Sequence, residues 1–187
     1  MSLGKTMRTG VLAGVLVCGA ALDGDLAAQG PATTPVARGK YIVDSGGCHD
    51  CHSPKKMGAN GPEIDPTRLL SGFAAETNLP APPQLAEGPW AAVVTWDLTA
   101  WSGPWGRSYA ANLTPDVTTG LGAWSEQMFV GAIRNGKHMG TGRPILPPMP
   151  WQTIGKLNDD DLKAVFAYLK TLKPVKNLVP APTPPAK

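Results

Sequence analysis

Cysteine is scarce in this chain of 187 residues: it occurs three times, as Cys18, Cys48 and Cys51. Cys18 lies in an apolar N-terminal segment that reads as a discarded leader. That leaves Cys48 and Cys51 and no further pair for a structural disulfide. A strong charge imbalance is missing too. The formal charge is +3 and no basic block is present, so a nucleic-acid surface is not indicated. The apolar run 11–21 falls well short of the roughly 20 residues a spanning helix needs. Regular periodicity is absent from about 53 to 111, whereas Pro 20 and Gly 22 are high for the length. Long irregular stretches must therefore be held by something other than regular secondary structure.

What is present is concentrated in Gly46-Gly47-Cys48-His49-Asp50-Cys51-His52. Cys48, Cys51 and His52 form the C-x-x-C-H pattern that attaches a c-type haem. Thiols three positions apart on one helical turn can each add to a porphyrin vinyl group, and the adjacent imidazole is then held beneath the ring to meet the iron. Two plainer readings compete. A thioredoxin-like dithiol needs a βαβ context, which does not follow here. Zinc held by Cys48, His49, Cys51 and His52 would lack the distant second ligand pair of most structural sites, and His138 is the sole other histidine. Haem is the stronger reading.

The N-terminus reads as a signal peptide over 1–28, with Lys5 and Arg8 before the apolar run and cleavage expected between 21 and 28. An uncleaved anchor is the alternative. Export fits covalent haem attachment, which takes place outside the cytoplasm, and points to a bacterial periplasm. Residues 29–35 read as a linker. A helix is expected over 36–44, with Gly39 marking either a close approach or a tolerated glycine. The insertion 54–111 carries a short strand candidate at 91–96 and four tryptophans: Trp90, Trp96, Trp101 and Trp105. These rings either form a small satellite core or cover the haem edge.

A second helix is expected at Glu126–Asn135, N-capped by Ser125, stapled by Trp124 and Phe129 and stopped by Gly136. In Pro147-Pro148-Met149-Pro150-Trp151 the prolines hold Met149 on a stiff extended segment. Met149 is better explained as a second iron ligand than as core filler, with His138 and Met139 as rivals. A last helix is expected after Asn158, with Asp161 placed to complete a reciprocal cap. Leu162, Val165, Phe166, Leu169 and Leu172 make its buried face, and Pro174 closes it. It should pack across the first helix at Gly39. The Pro-rich stretch from 175 on is expected to be extended and mobile.

Taken together these segments resemble a class I c-type cytochrome of the mono-haem bacterial kind. The likeness rests on Gly39-Lys40-Tyr41, the haem motif, the Pro-flanked Met149 and the run Asp159–Leu169. Asn112-Leu113-Thr114-Pro115-Asp116 with Gly120-Leu121-Gly122 and Trp124 is similar to haem domains of cytochrome subunits of periplasmic alcohol and aldehyde dehydrogenases. The resemblance covers 36–178, leaving 179–187 as a Pro-rich tail. It implies a mostly α, cytochrome c-like helical fold around one covalent haem c, with the long Pro/Gly/Trp-rich loop as an insertion. It also implies thioether links at Cys48 and Cys51, with His52 and Met149 as axial iron ligands.

Two departures stand out. The dehydrogenase subunits usually carry several haem motifs where this chain has one, and the insertion exceeds what a minimal cytochrome needs. A six-coordinate His/Met iron has no open substrate site, so the expected role is an electron carrier rather than an enzyme. Its partners would be redox proteins: a dehydrogenase, an oxidase or another cytochrome. A gas or redox sensor, or a haem enzyme with a displaceable distal ligand, is the alternative. Arg143, Arg107, Asn112, Tyr109 and the tryptophans are unranked candidates for holding the propionates.

Overall fold

The computed structural model describes residues 34–185, so the signal-peptide segment and most of the expected linker lie outside the described residues. Helix α1 spans Pro35–Ser45. Thr34 caps it, its hydroxyl accepting from the Ala37 amide at 3.2 Å, and Pro35 occupies the first turn, where a missing N–H costs nothing. Helix α2 is a single turn, Cys48–His52. Helices α3 (Glu126–Asn135), α4 (Trp151–Ile154) and α5 (Asp159–Leu169) follow the insertion.

The α3 signals act as read. The Ser125 hydroxyl accepts from Met128 N, and Gly136 ends the helix at φ 62°, a conformation that favours glycine. Trp124 and Phe129, the staple pair, both meet the core. Helix α5 begins under Asn158, whose side-chain oxygen accepts from Asp161 N at 2.7 Å. The Asp161 carboxylate does reach back to Asn158, but it accepts from the side-chain Nδ2 at 3.2 Å and not from the backbone amide. It takes a fork from Arg38 on α1, Nε at 2.7 Å and Nη2 at 3.1 Å, because two charge-assisted bonds outweigh one bond to a backbone amide.

Helices α1 and α5 cross at Gly39, where a Cβ would stand 1.9 Å from the Ala164 carbonyl oxygen. Close approach is the correct reading of that glycine. Val43, Leu162, Val165 and Leu169 meet Phe129, Ile133, Leu121 and Leu70 in one core, and Phe129 stacks on Phe166 with ring centroids 5.2 Å apart.

The expectation of a mostly α, cytochrome c-like helical fold is not met. Helix accounts for 29% of the structure and strand for 14%, in two small sheets. Both sheets fall within the insertion. Strands β1 (Lys55–Gly58) and β2 (Gly61–Ile64) form an antiparallel hairpin. Strands β3 (Val93–Val94), β4 (Ala100–Gly103) and β5 (Gly106–Tyr109) form a three-stranded antiparallel sheet in that order. Strands of four residues or fewer are too short to show a convincing alternation, which is why the sequence reads as structureless there. The strand expected at 91–96 contracts to Val93–Val94.

The stretch after 175 is extended as expected but is held in place. Asn177 is buried; its Nδ2 donates to the Ser71 and Phe73 carbonyls at 2.7 and 2.8 Å, and its Oδ1 accepts from Ala75 N at 3.0 Å. Thr183 pairs with Arg107 on β5 through two backbone bonds of 2.9 and 3.0 Å. The buried Ser71 and Phe73 carbonyls need donors, and the Asn177 amide supplies them while its oxygen takes the Ala75 N–H at the exposed end of the segment.

Candidate functional site

Gly46 closes α1, and Gly47 at φ 70° swings the chain into α2. That turn presents Cys48 and Cys51 three positions apart, with His52 immediately after. Both cysteines are half-buried free thiols. Burial pushes both thiols up from the ordinary cysteine range, whereas a redox-active dithiol requires a lowered one. Among the described residues no group of three or more His, Cys, Asp or Glu side chains is placed to hold a metal ion. His49 is turned away to Ser53 Oγ, 2.8 Å from its Nδ1, and to Asp44, 3.4 Å from its Nε2. The raised thiols speak against a redox dithiol, and the placement of His49 against a four-ligand zinc site.

His52 is 8% exposed. Its Nδ1 lies 2.8 Å from the Ala111 carbonyl oxygen. A carbonyl accepts only, so Nδ1 carries the proton and Nε2 is left as the lone-pair nitrogen. Burial holds the ring below the usual histidine range, which keeps it neutral. The next residue, Ser53, is fully buried and its hydroxyl accepts from Leu70 N at 2.9 Å. Gly72 N donates to the His52 carbonyl at 2.8 Å, fixing the ring's own backbone.

Met149 is half-buried and packs on the same hydrophobic core as Cys48. The rivals lie differently. His138 and Met139 are exposed on a short 3-10 turn, His138–Gly140, with Met139 at φ 55°. The His138 ring sets its edge against Trp124, centroids 4.9 Å apart.

The propionate candidates are largely committed elsewhere. Asn112 Oδ1 accepts from Thr114 N and Oγ1 at 2.9 and 2.7 Å, and its Nδ2 donates to the Val175 carbonyl at 2.8 Å. Arg107 donates to the Pro80 carbonyl at 3.1 Å. The Tyr109 ring packs on Phe73, centroids 4.9 Å apart. Arg143 is exposed, and its one hydrogen bond among the described residues is to its neighbour Pro144.

The four tryptophans do not act as one cluster. Trp101 and Trp105 are half-buried and donate their indole N–H to Leu98 O at 3.2 Å and Ser108 Oγ at 3.1 Å. Trp90 and Trp96 are 76% and 57% exposed. Ala111 and Ser53 are the residues that sequence reading missed. Ala111 acts through its backbone, which leaves no side-chain signature, and Ser53 looks like an ordinary loop serine. A cleft lined by Pro66, Thr67, Leu69, Leu172, Lys173 and Val175 contains none of the motif residues.

No family model matches the chain. Among curated proteins it is 30% identical over 144 residues to a subunit of nicotinate dehydrogenase from Pseudomonas putida, covering 77% of this chain and 9% of that one. It is 29% identical over 150 residues to the fructose dehydrogenase cytochrome subunit of Gluconobacter japonicus, covering 80% and 23%. It is 29% identical over 133 residues to the gluconate 2-dehydrogenase cytochrome c subunit of Pantoea cypripedii, covering 71% and 22%. The chain spans less than a quarter of the length of each of these relatives. The likeness read from the motifs thus holds: this chain resembles the haem domains of the cytochrome c subunits of dehydrogenases.

Proposed function

We propose that this chain carries one covalently attached haem c and passes single electrons from a dehydrogenase or similar donor towards a respiratory acceptor. The observation that carries the reading is the buried, neutral His52. Its Nδ1 proton is committed to Ala111, which leaves Nε2 as the lone-pair nitrogen of the residue that follows two part-buried, protonated thiols at C-x-x-C-H spacing. A carbonyl on Nδ1 is the usual means of fixing the tautomer and orientation of a metal-binding imidazole. The residues present therefore fit the group.

In this reading Cys48 and Cys51 form the thioether links, His52 is the proximal iron ligand and Met149 the distal one. The haem, when bound, supplies reversible one-electron chemistry at its iron, and a Met thioether favours the reduced state. The chain supplies the rest. Ala111 holds the imidazole, and the core around Val43, Leu121 and Phe129 keeps water away. The low-dielectric surroundings raise the potential by disfavouring the extra ferric charge. Relatives named as cytochrome subunits of fructose and gluconate dehydrogenases support a dehydrogenase partner. Export to the periplasm rests on the sequence of 1–28.

The test is the visible spectrum of the ferric protein, produced with haem-attachment machinery, beside Met149→Ala. A far-red sulfur-to-iron charge-transfer band that vanishes in the variant supports His52/Met149 ligation. A band that survives the substitution points to Met139, and a wild type without the band rejects a methionine ligand altogether.

A further inference from the structure

The segment 146–149 is poor in backbone anchors. Pro147 and Pro148 have no N–H to give, and the Met149 carbonyl is used locally by Trp151 N at 2.9 Å. Among the described residues, one hydrogen bond reaches this segment from more than two positions away. It comes from Ser108 Oγ on β5 to the Pro147 carbonyl, at 2.6 Å.

The direction of that bond is fixed by its neighbour. Trp105 Nε1 lies 3.1 Å from the same hydroxyl. An indole N–H only donates, so the hydroxyl accepts from Trp105 and its single proton is left for Pro147. Ser108 is buried and Trp105 half-buried, so water does not readily replace either. Three residues further along the same strand exit, the Ala111 carbonyl holds His52. One short segment, 108–111, thereby fixes the histidine by a backbone acceptor and the methionine segment by a side-chain donor.

We infer that Ser108, oriented by Trp105, is a positioning residue for the Met149 segment. The inference rests on the proposed Met149 ligation. Removing the hydroxyl leaves the Pro147 carbonyl without its long-range partner and frees 146–149 to swing away from the iron, while the His52 side is untouched. The role belongs to the insertion, which thereby becomes part of the ligand frame rather than an appendage.

The experiment uses the haem-loaded full chain with Ser108→Ala, Ser108→Thr and Trp105→Phe. Two readouts are followed: the rate of carbon monoxide uptake by the reduced protein, which requires Met149 to leave, and the temperature at which the far-red band is lost. Loss of this part-buried hydrogen bond should speed carbon monoxide uptake about fivefold in Ser108→Ala. The band should bleach at lower temperature in the same variant. Ser108→Thr, which keeps the hydroxyl, should restore both, and Trp105→Phe should shift both in the same direction by less.

Uptake and bleaching in Ser108→Ala unchanged from wild type would overturn the positioning role while leaving Met149 ligation standing. A wild type without the band would overturn the ligation itself, and this inference with it. Should Ser108→Ala fail to accumulate, Trp105→Phe decides alone: faster uptake supports the role, and an unchanged rate rejects it.

Discussion

Gly39 on α1 and Ala164 on α5 are in backbone contact: the space a Cβ would need at Gly39 is filled by the Ala164 carbonyl oxygen, 1.9 Å away. The obstacle is main chain, so no rotamer change can relieve it. Gly39→Ala must push the two helices apart and should cost about 3 kcal/mol, the upper end of overpacking penalties. Denaturant unfolding of wild type and variant would show it as a lowered midpoint at unchanged slope.

Asp161 joins the same two helices through Arg38, and its carboxyl is held below the ordinary carboxylate range chiefly by the Arg38 hydrogen bond. A depressed carboxyl contributes stability that is fully present above its unfolded pKa and is lost as pH falls through its folded one. Melting temperature should therefore separate wild type from Asp161→Asn near neutrality. The gap should close on acidification through and below the usual aspartate range.

Ser53 supports the turn that follows His52. Ser53→Ala removes the acceptor for the buried Leu70 amide, at a residue held at φ 57°, and leaves that donor without a partner. The expected loss is about 1–3 kcal/mol. Hydrogen exchange at the Leu70 amide should accelerate with it.

Asn177 serves three backbone groups at once, the Ser71 and Phe73 carbonyls and the Ala75 amide. Asn177→Ala orphans the two buried carbonyls and should cost about 2–4 kcal/mol, since each buried group left unpaired carries its own desolvation penalty, whereas the amide of the exposed Ala75 can turn to water. Asn177→Asp should fare little better, because a carboxylate cannot donate to the two carbonyls. Chemical denaturation of both variants is the measurement.

Much of the helical frame was legible. Asn158, Ser125 and Gly136 announce helix ends by capping chemistry that depends on immediate neighbours, and C-x-x-C-H announces a site by spacing alone. The insertion was opaque for a different reason. Asn60-Gly61 is a hairpin signal, but Pro62 follows it in β2 and the hairpin residues are mostly exposed, so no alternation reinforces it. The Ala111 carbonyl, the Ser108–Pro147 bond and the Asn177 clasp all join positions far apart in sequence. Such contacts are properties of the folded arrangement, and a single sequence carries no local mark of them. The mostly helical expectation failed because the stretch read as an irregular loop instead builds two small antiparallel sheets, from strands too short to mark themselves by alternation.

The Asn177 clasp also makes the segment 80–90 dispensable as a covalent tie. A backbone cut there would leave 34–79 attached through α1 against α5, Leu70 in the common core, the Phe73–Ala110 bond and the Asn177 amide. The exposed Pro-rich stretch is thus a bridge between two parts already fastened to each other. The cut pieces would migrate as one particle until a denaturant parted them.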